Sequence, residues 1–168
     1  MQTILFVCTG NTCRSTMAEA IFKHILANRK DGPQNIKVMS AGIYAWEGDK
    51  ASYGAVEALK ERGIDIMEHS SKLLTPKLLE KADLVLTMTS NHKRAVLEMC
   101  PGAREKVYTL KEYVLSHDNK ELYISDSDFD WINQDIKDPY GQSVDVYRES
   151  AEELEKYLQM LIDKISSI

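Results

Sequence analysis

Four short apolar runs, Ile4–Val7, Ile36–Met39, Leu84–Met88 and Val107–Leu110, are separated by longer stretches in which apolar residues recur at helical spacing. That alternation is the pattern of a parallel sheet with crossover helices on both faces. It predicts a three-layer α/β/α fold around a four-stranded parallel sheet. The first helix is expected from about Ser15 to Asn28, burying Met17, Ile21, Phe22, Ile25 and Leu26. A second is expected over Ala51–Arg62, with Val56 and Leu59 inward and Gly63 as its C-terminal cap. Thr75-Pro76 reads as a cap followed by the first helical position. Near the end of the chain, Leu154, Tyr157, Leu158, Leu161, Ile162 and Ile165 form a stripe assigned to core packing. The sequence contains neither an internal repeat nor a low-complexity tract.

Ligands of such sheets bind beyond the carboxyl ends of the strands. Cys8-Thr9-Gly10-Asn11-Thr12-Cys13-Arg14-Ser15 falls there, directly after the first run and before the first helix. Five residues separate Cys8 from Arg14, a spacing that lets one short loop curl around a tetrahedral oxyanion and present a guanidinium to it. Successive backbone N–H groups and the positive end of the following helix suit a phosphate. The same field favours a thiolate at Cys8. Arg14 offers a planar fork to two phosphoryl oxygens. Gly10 is expected to permit the curl, and Asn11 to bond its own loop and tolerate left-handed geometry. The chemistry this predicts is attack by a cysteine on a phosphoryl group.

Composition narrows the setting. With 168 residues and 43% hydrophobic content, the chain is expected to form a single domain spanning 1–168. Net charge is −5 and basic residues form no sustained patch, which argues against nucleic acid as a partner. No apolar segment reads as a signal peptide or membrane span, so a cytoplasmic monomer with three reduced cysteines is expected.

The whole chain resembles the low-molecular-weight protein tyrosine phosphatases. The resemblance rests on Val7–Ser15, Ser40-Ala41-Gly42, Ala82–Met88 and Asp138-Pro139-Tyr140, four matches in order. It implies a phosphatase that uses no metal or other cofactor, with phosphorylated proteins as substrates. Cys8 would be the nucleophile and Arg14 the phosphate clamp. Residues Thr9, Gly10, Asn11, Thr12, Cys13, Arg14 and Ser15 would form the phosphate loop. Asp138, held in extended geometry by Pro139, would be the general acid and then the base. Trp46 and Tyr140 would wall the cleft, and Asn11, Ser15, Ser40 and His69 would support the loop.

Within that family, Thr12 resembles the bacterial protein arginine phosphatases, whereas tyrosine-directed members carry a branched aliphatic residue there. The segments Thr109–Val114 and Asp138–Gly141 resemble the same branch. Phosphoarginine is therefore the preferred substrate and phosphotyrosine the first alternative; packing alone is the competing role for Thr12. Arsenate reduction is disfavoured, because the thioredoxin-coupled reductases use two further downstream cysteines and only Cys100 is available. A non-catalytic phosphoprotein-binding module would need no acid opposite the nucleophile. Cys13 is expected either to form a reversible disulfide with oxidised Cys8 or simply to pack.

Two departures stand out. Thr16 occupies the position where most family members have proline, which should restrain the helix start less. The stretch Ser116–Lys137 is longer than in the arginine-phosphatase pattern, with Asp126, Asp128 and Asp130 alternating. It lacks the later glycine and glutamate of a calcium loop and is read as a solvated insertion, packed down by Phe129, Trp131 and Ile132.

Overall fold

The computed structural model describes residues 2–29, 33, 35–116 and 134–166. Its strands are β1 (Gln2–Cys8), β2 (Ile36–Gly42), β3 (Leu84–Thr87) and β4 (Val107–Thr109). They form one parallel sheet in the order β2-β1-β3-β4. The helices are α1 (Arg14–Asn28), α2 (Tyr53–Lys60), α3 (Pro76–Lys81), α4 (Ser90–Met99), α5 (Leu110–Leu115) and α6 (Val144–Ser166), with a 3-10 turn at Pro101–Lys106.

β1 lies inside the sheet, and its side chains alternate between two cores. Ile4 and Phe6 pack on the side of α1, α2, α5 and α6. Leu5 and Val7 pack with Leu79 of α3, Val96 of α4 and Ala103 of the 3-10 turn. All four are buried, as an unbroken apolar run requires when both faces of a parallel sheet are covered. The α/β/α architecture predicted from the runs is the one observed.

Local chemistry sets the element ends. Gly63 has φ +72, and the N–H groups of Gly63 and Ile64 donate to Lys60 O and Leu59 O, closing α2 in a Schellman motif. Thr75 caps α3 by accepting from Leu78 N, with Pro76 at the first turn. Leu110 leaves the sheet and opens α5, because Thr109 and Glu112 form a capping box. The α2 helix is shorter than expected: Ser52 takes the N-cap position instead of a helical one, its N–H donating to Thr12 O. Gly54 lets α2 approach α6, since a Cβ there would lie 2.3 Å from the Tyr147 ring. The stripe of α6 is buried at Leu154, Leu158, Leu161, Ile162 and Ile165, with Tyr157 partly buried. Among the described residues, no helix is long and apolar enough to cross a membrane. Asp126, Asp128, Phe129, Asp130, Trp131 and Ile132 lie outside the described residues.

Candidate active site

The chain between β1 and α1 curls at the carboxyl end of the sheet, where the fold places the positive end of a 15-residue helix. The left-handed residue of the curl is Asn11, at φ +54. Gly10 has an ordinary φ, and a Cβ on it would meet only Thr12 Oγ1 at 3.7 Å, so its permissiveness is not what the turn uses. The glycine the loop does need is Gly42, on β2: a Cβ there would stand 2.6 Å from Thr9 O and 2.8 Å from Asn11 N.

Asn11 is fully buried and anchors the loop in three directions. Its Nδ2 donates to Ser15 Oγ at 2.9 Å and to Ser40 Oγ at 2.8 Å, while its Oδ1 accepts from Lys72 N at 2.9 Å. Its carbonyl accepts from the Thr16 hydroxyl at 2.8 Å and lies 2.7 Å from His69 Nε2. Burial lowers the His69 pKa. Thr16 therefore ties the loop by a bond that proline could not make, reversing the expectation of weaker restraint. The Ser40 hydroxyl in turn donates a hydrogen bond to Glu19 Oε2.

Cys8 is buried, with Sγ 2.9 Å from Ser15 Oγ. Ser15 Oγ accepts from Asn11 and lies 3.5 Å from Ala41 O, so the same hydroxyl joins the sulfur to the loop's anchor and to β2. Arg14 is also buried. Its Nη1 donates to Ile136 O at 3.0 Å and its Nη2 lies 3.1 Å from Asp138 Oδ2, while Nε is buried without a partner among the described residues.

Asp138 arrives on a segment fixed from three elements. Ile136 N donates to Met88 O just beyond β3, Ser90 N at the start of α4 donates to Asp135 Oδ1, and Lys111 Nζ of α5 donates to Asp135 O. Past it, Tyr140 N donates back to Asp138 Oδ1. The carboxylate is half exposed, at the mouth of a cavity of about 400 Å3. Cys8, Arg14 and Asp138 share that cavity with Thr9 and Thr12, and Trp46 and Tyr140 rise from its rim as exposed aromatics. Trp46 is 79% exposed, so it is not tucked under its own loop.

Cys13 and Cys8 are both free thiols. Cys13 Sγ donates to Ser52 Oγ at 3.2 Å and lies 3.4 Å from Tyr147 OH. Burial first, and the Cys13 contact second, push the Tyr147 phenol up to about 12. Cys100 ends α4 and does not line the cavity. No group of three or more His, Cys, Asp or Glu among the described residues is arranged to hold a metal.

Sequence reasoning missed His92, whose Nε2 lies 2.8 Å from Thr9 Oγ1 across 83 positions of chain, and the Ser52–Tyr147 pair behind Cys13. No local spacing announces these contacts. The Thr89 cap that fixes the start of α4, and with it His92, was the available clue.

A reactive cysteine and an arginine in one curled loop after the first strand of a parallel sheet, with an aspartate facing them, define the class of cysteine-dependent phosphatases. The sequence profile of the low molecular weight phosphotyrosine protein phosphatases matches residues 3–167, and the chain belongs to that family. It is 43% identical to a protein-arginine-phosphatase of Bacillus subtilis over 96% of this chain and 95% of the relative. The solved structure of YwlE arginine phosphatase from Geobacillus stearothermophilus superposes with a TM-score of 0.83 at 38% identity, covering 99% of this chain and 94% of the other. A further YwlE arginine phosphatase structure, a cysteine-to-serine mutant with a phosphorylated active-site serine, matches with a TM-score of 0.82 at 43% identity over 98% and 95% of the two chains.

Proposed function

We propose that this protein hydrolyses phosphoarginine in proteins through a phosphocysteine at Cys8. The observation that carries the reading is the cavity that gathers Cys8, Arg14 and Asp138 with the hydroxyl-bearing Thr12 on its wall. The arginine phosphatases similar to this chain, one with phosphate on a serine in its active site, support both the substrate and the covalent intermediate.

In the first step the Cys8 thiolate attacks phosphorus. The S–P bond forms, the P–N bond breaks, and Asp138 protonates the departing guanidine nitrogen. Arg14 and the loop N–H groups of residues 9–15 hold the equatorial oxygens, acting where charge spreads in the transition state. In the second step water attacks phosphorus, Asp138 takes its proton, the P–S bond breaks and Cys8 leaves as thiolate with release of inorganic phosphate. Ser15, Asn11, Ser40 and His69 keep the loop in shape. The enzyme would work as a single-domain monomer in the cytoplasm.

The exposed rings of Trp46 and Tyr140 suit any flat phosphorylated side chain, guanidinium or phenol, so phosphotyrosine stands as the second reading. Competing turnover of phosphoarginine and phosphotyrosine peptides by wild type and Thr12→Ile separates the two. Preference for phosphoarginine that is lost in Thr12→Ile supports the first reading. Preference for phosphotyrosine that is indifferent to the substitution overturns it.

A further inference from the structure

His92 sits in the first turn of α4, 8% exposed, with its backbone N–H donating to the Thr89 hydroxyl. Its ring reaches the phosphate loop: Nε2 is 2.8 Å from Thr9 Oγ1. The opposite ring nitrogen, Nδ1, is buried without a hydrogen-bond partner among the described residues.

Those two facts fix the tautomer. A buried N–H without an acceptor is rarer and costlier than a buried lone pair without a donor. The proton therefore belongs on Nε2, leaving a lone pair at Nδ1. Burial, reinforced by the Arg14 charge, holds the ring neutral by lowering its pKa to about 4. Nε2–H then donates to Thr9 Oγ1. With one lone pair engaged by His92, the Thr9 hydroxyl turns its own proton away from the ring. Thr9 is exposed and lines the cavity beside Cys8 and Arg14, so the proton faces the space where phosphate is handled.

We infer that His92 is a positioning residue, and that it locks the Thr9 hydroxyl as a side-chain donor to the bound phosphoryl group. The inference rests on the phosphatase reading and adds to it a donor from the loop's side chains, set by a helix remote in sequence. Thr9 makes the contact with the phosphoryl oxygen; His92 acts only through Thr9. It follows that the two residues form one functional unit.

The test is a double-substitution cycle with Thr9→Val, His92→Phe and their combination. Thr9→Ser and His92→Gln serve as rescues, since a glutamine amide can donate from nearly the place of Nε2. The readouts are kcat/KM on a phosphoarginine peptide and an aryl phosphate, and the inhibition constant of inorganic phosphate. Each single loss is expected to lower kcat/KM about tenfold on both substrates and to weaken phosphate inhibition, the scale of one hydrogen bond to a charged group. The double variant should fall no further than either single one, and Thr9→Ser and His92→Gln should recover most of the loss. The inference is overturned if Thr9→Val matches wild type, if the losses multiply to about a hundredfold, or if His92→Gln is no better than His92→Phe. Should His92→Phe fail to fold, the contrast between Thr9→Val and Thr9→Ser at the exposed Thr9 still decides whether the hydroxyl acts. Wild-type turnover that Cys8→Ser abolishes is the entry control: without it the phosphatase reading itself fails, and with it a negative cycle counts against His92 alone.

Discussion

Arg14 Nη2 and Asp138 Oδ2 stand 3.1 Å apart, so the guanidinium that would grip the phosphoryl group also grips the carboxylate that would protonate the leaving group. Phosphoryl oxygens bound there would compete with Asp138 for that donor. The pairing brings the acid over the phosphate loop. It also opposes entry of the anion.

Replacing Asp138 by Asn separates these effects. Without a proton donor, kcat for a substrate with a poor leaving group should fall by about 10²- to 10⁴-fold. Inorganic phosphate, which needs no protonated leaving group, should inhibit more strongly once the competing charge is gone. Steady-state rates with and without phosphate check both; weaker phosphate inhibition in the variant would mean that Asp138 does not compete for Arg14.

Gly42→Ala tests how tightly β2 cradles the loop. The new Cβ would press on Thr9 O and Asn11 N, both backbone atoms that cannot swing aside. A loss of about 1–3 kcal/mol in stability is expected, on the scale of overpacking in a tight interior. A larger proportional loss in kcat/KM should accompany it. Urea unfolding measured beside kinetics would reveal the outcome, and an unchanged kcat/KM would show that the loop's shape does not depend on this contact.

His92 gives the fold a definite pH dependence. Its pKa falls from the ordinary 6.5 to about 4 on folding, so the unfolded chain takes up the proton first as pH drops. Its stabilising contribution is fully present above pH 6.5 and is lost as pH falls towards about 4. Between pH 7 and pH 5 this amounts to about 2 kcal/mol. Burial of His69 acts in the same direction. Urea midpoints at the two pH values should differ more for wild type than for His92→Gln; equal differences would place the dependence on other groups.

The two loop cysteines suggest a redox experiment. Hydrogen peroxide would oxidise Cys8 to a sulfenic acid with release of water, and attack of the Cys13 sulfur on the Cys8 sulfur would form the disulfide and expel a second water. Cys13 must first leave Ser52 and Tyr147. Peroxide-treated wild type should regain activity with dithiothreitol, and Cys13→Ser should regain much less. Equal recovery would assign Cys13 to packing alone.

The sheet, the loop and a few helix ends were legible because each is written in a few neighbouring residues. Apolar runs marked the strands, Cys8 and Arg14 marked the loop, and Thr75-Pro76 and Gly63 marked helix ends. What escaped were contacts between distant segments. Gly42 looked like part of a motif and proved to be the space into which Thr9 and Asn11 fit. Thr16 looked like a lost proline and proved to hold Asn11. His92 carries no neighbouring chemistry in sequence; only the docking of α4 beside the loop gives it a partner.

Asn11 draws its partners from far along the chain: Ser40, His69 and the backbone of Lys72. A chain emerging from the ribosome cannot complete the phosphate loop until all of these have been made, although the eight residues of the loop precede every one of them. The cysteine that the finished enzyme depends on is therefore placed in its anion-binding setting only after the neighbouring strand and the segment beyond α2 have docked. The making of the loop and the arrival of its last support are separated by the 61-residue span between Asn11 and Lys72.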